Sequence, residues 1–171
     1  EAEPGQFLHI KVARDGFDPI LRRPFSIYDI NQTNNSLSII YKVCGKGTKL
    51  LSSYKSGENM DSLNPLGNGF DLSKKNQNIL LIGGGMGIAP LYYLAKRLSV
   101  NNNLRVILGA GSKHELNYFR ASFSHLKLDT YCATLDGSQG KRETAIDCWS
   151  SLESNDIFSQ EIDYIYSCGP T

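Results

Sequence analysis

Two glycine-rich stretches and one arginine-led strand hold the residues of this chain best equipped for chemistry. The run Ile79-Leu80-Leu81-Ile82-Gly83-Gly84-Gly85-Met86-Gly87-Ile88-Ala89-Pro90 sets four apolar residues directly before four glycines in five positions. An amphipathic segment, Leu91 to Leu98, follows. The pattern reads as a buried parallel strand, a tight turn and a helix. Glycine permits positive φ and a close approach of ligand to backbone, and a helix start offers free N–H groups to a pyrophosphate. A dinucleotide site is the leading idea. The spacing departs from G-x-G-x-x-G: with Gly83 and Gly85 as the first two glycines, the third position falls on Ile88. No acidic residue closes the next expected strand, Leu104 to Leu108, where a ribose-binding carboxylate belongs. The alternative for this stretch alone is a structural glycine turn that packs a helix on a sheet.

The second candidate is Leu21-Arg22-Arg23-Pro24-Phe25-Ser26-Ile27. Arginine offers a planar fork for phosphate oxygens, Phe25 a flat face for a ring system, and Ser26 a hydroxyl donor and acceptor. Together they could grip a flavin nucleotide at both ends; an ordinary edge strand with a basic start is the alternative. The third is Cys44-Gly45-Lys46-Gly47-Thr48-Lys49-Leu50, glycines and a threonine at a helix start. It is either a phosphate cradle or a plain capped turn, and it is no Walker A loop.

The elements that position these residues change character along the chain. Phe7–Ala13, Phe25–Ile30 and Leu37–Val43 read as strands, with a polar turn over Asn31–Ser36. Thr48 is expected to cap a short helix carrying Leu50 and Leu51. Short strands with one small helix suggest a barrel or sandwich. Asp71–Asn78 is polar and reads as a linker. Beyond it, strands are expected at Ile79–Ile82, Leu104–Leu108, Leu128–Ala133 and Tyr164–Tyr166. Helices are expected at Ile88–Leu98, His114–Phe123 and about Thr144–Leu152. That alternation predicts a parallel sheet with covering helices. The boundaries are 1–73 for the first domain and 74–171 for the second. Glu1-Ala2-Glu3-Pro4-Gly5-Gln6-Phe7 opens close to a strand and Cys168-Gly169-Pro170-Thr171 stops where a helix should begin, so a longer native protein is expected.

With 171 residues, 40% hydrophobic and 20% charged, the composition is that of an ordinary soluble protein. A net charge of +1 argues against nucleic acid or an acidic membrane as partner. No apolar run approaches the ~20 residues a membrane span needs, and no signal peptide is evident. Cys44, Cys132, Cys148 and Cys168 contain no C-x-x-C pair and fit neither a zinc nor an iron–sulfur spacing, so no metal ligand is assigned. They read as reduced thiols in a cytoplasmic protein. Cys132, Cys148 and Trp149 read as core residues, and His9, His114 and His125 as surface or packing residues.

The order of these motifs resembles the ferredoxin–NADP reductase superfamily. Within it, RRPFSI (22–27), YKVCGKGT (41–48), LGNGF (66–70) and GGGMGIAPL (83–91) resemble the electron-transfer subunits of B-type dihydroorotate dehydrogenases. The resemblance covers nearly the whole chain. It implies an antiparallel FAD-binding β-barrel lacking its opening strands, followed by a parallel-sheet α/β NAD-binding domain. Arg23, Pro24, Phe25 and Ser26 match the family's R-x-[FY]-[ST]. Arg23 would take FAD phosphate, Phe25 would pack on the flavin region, and Ser26 would hydrogen-bond the isoalloxazine and so serve the chemistry. Ile40, Tyr41 and Lys42 match the next FAD-contacting strand, and Gly47 and Thr48 the pyrophosphate turn. Gly84, Gly85, Met86 and Gly87 would bind NAD, and Asp136-Gly137-Ser138 resembles a loop bordering the nicotinamide side. Cys168, Gly169 and Pro170 match the superfamily's C-G-P beside nicotinamide and flavin, with Cys168 the second candidate catalytic residue.

The implied function is a flavoprotein subunit passing electrons between NAD(H) and the FMN-bearing catalytic subunit of dihydroorotate dehydrogenase in pyrimidine biosynthesis. The assembly would be a heterotetramer, with FAD and a [2Fe–2S] cluster whose ligands lie outside this segment. NAD is favoured over NADP by the family analogy, although Lys113, beyond the second strand, could contact a 2′-phosphate. The rival readings are a reductase of the same superfamily serving a hydrogenase or oxygenase, and a non-catalytic nucleotide-binding module.

Overall fold

Alternation of apolar and polar side chains builds the amino-terminal sheet. In β1 (Phe7–Ile10), Leu8 and Ile10 are buried while Phe7 and His9 are only partly covered. β1 lies between two antiparallel neighbours, β2 (Arg23–Ser26) and β5 (Ser62–Leu66), with Leu8 opposite Phe25 and Ile10 opposite Arg23. A hairpin of β3 (Asp29–Asn31) and β4 (Ser36–Ser38) forms a second antiparallel sheet. Its polar turn is tied by the Asn31 side chain, whose oxygen accepts from the Thr33 and Asn34 amides. These features come from a computed structural model that describes residues 2–14, 16, 18–155 and 161–170. The chain divides into two compact units, Glu1–Phe70 and Asp71–Thr171.

Several expectations for the first unit need correction: the strand from Phe7 ends at Ile10 rather than Ala13, and Phe25–Ile30 is divided between β2 and β3 at Ile27 and Tyr28. The strand reaching to Val43 stops at Ser38, so Ile40, Tyr41 and Lys42 lie in the irregular segment leading to α1 (Lys46–Ser52). At the entry into α1 the Cys44 and Gly45 amides bond to the Thr48 hydroxyl at 3.0 and 3.1 Å rather than to a strand. Thr48 is not the cap: Gly45 holds that place, and Thr48 reaches back from the third helical position. Lastly, β5 was not foreseen because its sequence, Ser-Leu-Asn-Pro-Leu, has poor strand propensity. It survives as an edge strand with a register irregularity opposite Phe7–His9, where proline is tolerated.

The second unit follows its hydrophobic pattern closely. The near-continuous apolar runs of β6 (Asn78–Gly84) and β7 (Asn103–Ala110) mark strands covered on both faces. With β8 (Asp129–Thr134), β9 (Lys141–Arg142) and β10 (Tyr164–Cys168) they form one parallel sheet in the order β10-β6-β7-β8-β9. α2 (Ile88–Leu98) and α3 (Lys113–His125) connect β6, β7 and β8 in one direction, whereas α4 (Ala145–Ser154) leads back to β10. Right-handed crossovers therefore put α2 and α3 on one face and α4 on the other. Beneath α4, Leu80, Ile82, Ile107, Ala133 and Cys148 form a buried cluster with Trp149 and Leu152 against it. The two-residue β9 was not anticipated, being too short to carry a periodic signal. No helix among the described residues is long and apolar enough to cross a membrane.

Glycine sets how tightly β6, α2 and β10 meet. A Cβ at Gly83 would lie 2.8 Å from the Ile88 side chain and 3.2 Å from Leu91, so its absence lets α2 rest on the sheet. At Gly87 a Cβ would overlap the Cys168 carbonyl and the Gly169 amide. Gly85 has open space around it and adopts φ +53°. Replacing Gly87 with Ala should therefore destabilise by about 3 kcal/mol or more through overpacking against backbone. Gly85→Ala should cost only the left-handed strain of about 1–2 kcal/mol. Denaturant midpoints that rank the two variants in the opposite order would refute this packing.

The stretch from Asp71 is more than a polar tether. The Asp71 carboxylate accepts from the Ser73 amide at 2.9 Å and pairs with Lys74 at 3.2 Å. Lys74 sits 4.6 Å over the Tyr164 ring, and the Tyr166 hydroxyl donates to the Asp71 carbonyl. Hydrogen bonds from Ser73 first, then Lys74, lower the Asp71 carboxyl to about 2. Such a group stabilises the fold above its unfolded pKa of about 3.9, and the contribution is lost as pH falls toward 2. The Asp71→Asn protein should show a shallower loss of denaturant midpoint between pH 5 and pH 2.5 than the parent. Equal slopes would remove this role.

Candidate functional site

The carboxyl ends of β10, β6 and β7 open into a cavity of about 590 Å³. Chain direction explains its place. From β6 the chain steps to β7 on one side and returns to β10 on the other, and ligands of open parallel sheets settle outside the strand ends at such a reversal. Gly84, Gly85, Gly109 and Gly111 present backbone to it, and Cys168, Gly169 and Pro170 form the β10 side. The crossing is free of side chains by necessity, since a Cβ on Gly169 would lie 3.1 Å from the Gly84 Cα. The sequence-derived set Gly84, Gly85, Cys168, Gly169 and Pro170 is thus brought together. Gly87 underlies the crossing, and Met86 stands partly exposed beside it, outside the lining.

Asp136 occupies a supporting place. Its carboxylate accepts from the Ser138 amide at 2.9 Å and the Ser138 hydroxyl at 2.6 Å, and these bonds hold its pKa below the usual carboxylate range. The Ser138 oxygen in turn accepts the Lys113 amide at the start of α3, at 2.7 Å. Leu135, not Asp136, lines the cavity. The opposite wall comes from the start of α4: Glu143, Thr144, Ala145 and Ile146. Sequence reasoning missed this wall. Its signal was Thr144-x-x-Asp147, whose side chains and amides cap each other at 3.1 and 3.2 Å. Gly109 was missed as well: a Cβ there would press on the Ala145 backbone.

Thiol chemistry is disfavoured. Burial raises the pKa of Cys168 and of Cys132, and burial with Glu143 nearby pushes Cys148 up to about 11. All three stay protonated near neutral pH, and a thiol rather than a thiolate is a poor nucleophile. Among the described residues no group of three or more His, Cys, Asp or Glu is placed to hold a metal ion.

In the first unit, Arg22 and the β2 residues after it differ in what surrounds them. Arg22 is fixed outward: its guanidinium donates to the Asp61 carboxylate at 2.8 Å and carbonyl at 3.1 Å, holding that carboxyl's pKa low. Arg23 turns to α1. Its first guanidinium nitrogen donates to the Leu21 carbonyl at 2.8 Å, and its stem crosses Gly47, where a Cβ would lie 3.3 Å from Nε. Arg23, Gly47 and Thr48 therefore converge around the first turn of α1. A cationic guanidinium beside a helix start is a donor set that fits a phosphate. Phe25 is buried, edge-on to Tyr41 at 5.5 Å between ring centroids. By strand alternation Pro24 and Ser26 occupy the opposite face, Pro24 exposed and Ser26 half-buried.

No family model matches the chain. It is 44% identical, over 98% of its length, to the protein named dihydroorotate dehydrogenase B (NAD(+)), electron transfer subunit, of Bacillus cereus strain B4264. It is 43% identical, over the same share, to the protein of that name in Bacillus anthracis strain A0248. The chain spans 62% of the length of these curated relatives. Among solved structures, an NADH-dependent reduced ferredoxin-NADP oxidoreductase superposes with a TM-score of 0.78 and 32% identity, covering 99% of this chain and 58% of the other. The ferredoxin reductase of carbazole 1,9a-dioxygenase gives 0.75 at 20% identity, covering 99% and 53%, a likeness of fold. By sequence this chain is similar to proteins named as electron transfer subunits of dihydroorotate dehydrogenase B, and by fold to structures of the ferredoxin reductase type.

Proposed function

We propose that the chain is the flavin- and nicotinamide-binding part of an NAD-dependent electron-transfer subunit, and that it serves a dihydroorotate dehydrogenase catalytic subunit in pyrimidine biosynthesis. The observation that carries the reading is the 44% identity across 98% of the chain to subunits of that name. The glycine-walled crevice at the sheet reversal supports it, being of the kind that takes a dinucleotide. In this reading NAD(H) lies along Gly84, Gly85, Gly87, Gly169 and Pro170, with Met86 and Asp136 at its margins. FAD is held in the first unit, its phosphates by Arg23, Gly47 and Thr48. Its ring system lies near Pro24, Phe25, Ser26, Ile40, Tyr41 and Lys42.

Bound FAD would supply hydride exchange with NAD(H) and single-electron exchange with a [2Fe–2S] cluster, whose ligands lie outside these residues. The chain's own part is to neutralise phosphate charge at Arg23 and to donate backbone N–H groups at two glycine turns. Its partner is the FMN-bearing catalytic subunit in a heterotetramer, and its setting is the cytoplasm.

A visible absorption spectrum taken before and after anaerobic NADH tests the reading. A flavin spectrum that bleaches supports both nucleotide sites; a colourless protein that fails to take up added FAD would sink the flavoprotein assignment. A bleached flavin that passes no electrons to a dihydroorotate dehydrogenase catalytic subunit would move the chain to a reductase with another acceptor. Arg23→Ala should weaken FAD retention by about 1.5–3 kcal/mol, one charge-assisted contact, with near-normal stability. Unchanged FAD affinity would remove Arg23 from the site.

A further inference from the structure

The nucleotide reading leaves open how the site distinguishes a ribose 2′-hydroxyl from a 2′-phosphate. In doubly wound sheets a carboxylate near the end of the second strand receives the ribose hydroxyl. Here that strand is β7, and it ends Gly109-Ala110-Gly111 without an acid. A carboxylate arrives there by another route. Glu115, in the first turn of α3, folds back so that its Oε2 accepts from the Gly111 amide at 3.1 Å. A Cβ on Gly111 would lie 2.9 Å from that same oxygen, so the missing side chain is what lets the carboxylate reach the strand end. Gly111 itself lines the cavity. The Ser112 hydroxyl caps α3 by accepting from the Glu115 amide at 3.5 Å, which fixes the turn carrying the acid.

We propose that Glu115 is a specificity-determining residue, its carboxylate held at the carboxyl end of β7 so that the site takes NAD(H) and turns away NADP(H). The inference rests on the nucleotide reading above. A carboxylate accepts hydrogen bonds from ribose hydroxyls, whereas it repels a phosphate dianion. An opposing charge on the same turn is Lys113, exposed, with its amide anchored by Ser138 and its ammonium on a flexible stem. Glu115 outweighs it because its carboxylate is fixed against a residue of the cavity wall.

The test is Glu115→Gln, which keeps an oxygen acceptor for the Gly111 amide and removes only the charge. Equilibrium binding of NAD⁺ and NADP⁺ to the oxidised protein is measured by calorimetry for the parent, Glu115→Gln and Lys113→Gln. Rates of flavin reduction by NADH and NADPH are measured beside it. The ratio of Kd for NADP⁺ to Kd for NAD⁺ should fall about tenfold or more in Glu115→Gln and rise in Lys113→Gln. A purely capping Glu115 would change stability and leave that ratio alone. If the parent binds NAD⁺ and the ratio moves less than twofold in Glu115→Gln, this inference is overturned and the nucleotide reading stands. A parent protein that binds neither dinucleotide overturns both.

Discussion

The structure of the second unit depends on one close backbone crossing, where the end of β6 and the turn into α2 meet the end of β10. A side chain at Gly87 would occupy the Cys168 carbonyl, and one at Gly169 would press on Gly84. Glycines here cost conformational entropy that the flanking apolar runs offset. Ile79, Leu80 and Leu81 are fully buried, as are Leu91 and Leu94 on α2. Because the crossing bears no side chains, the strand ends stay open and present N–H and C=O groups rather than methyls. A crevice walled by backbone follows from the packing itself, before any ligand is considered.

The first unit works by the same economy at smaller scale. Gly47 allows the Arg23 stem to lie across the start of α1, and Thr48 secures the two amides that enter the helix. The adjacent arginines are chemically identical in sequence and differ only in what surrounds them. Asp61 engages the guanidinium of Arg22, while that of Arg23 is steered by the Leu21 and Arg22 carbonyls. Register separates them: Arg23 sits opposite Ile10 at the start of β2, and Arg22 precedes the ladder.

How much of this was legible in the sequence follows from which interactions are local. α2 was read at its true bounds, Ile88–Leu98, because a strand of continuous apolar residues and a glycine turn leave little choice of start. β6 and β7 were located by the same apolar runs, and β8 and β10 by their β-branched and aromatic residues. What escaped depended on partners distant in sequence. β5 exists only because β1 lends it a ladder. In the site, glycine positions were readable from type and spacing. The wall at Glu143–Ile146 was not, since α4 reaches the strand ends only through a crossover that reverses direction. Ser112-x-x-Glu115 has capping-box spacing, the one sequence hint that an acid four residues beyond Gly111 would fold back toward it.

The chemistry these residues can perform is therefore that of a holder. Glu143 and Cys168 are the ionisable side chains lining the cavity among the described residues. The Glu143 carboxylate accepts from the Ser151 hydroxyl, and burial keeps Cys168 a thiol. Neither is arranged as a nucleophile with a base beside it, the constellation that covalent catalysis requires. Backbone donors, glycine-enforced access and a steered guanidinium are instead what a protein contributes when the reacting atoms belong to a bound group. Substitution at the crossing should accordingly alter geometry and affinity together, because the same glycines that let the strands meet also define what can lie between them.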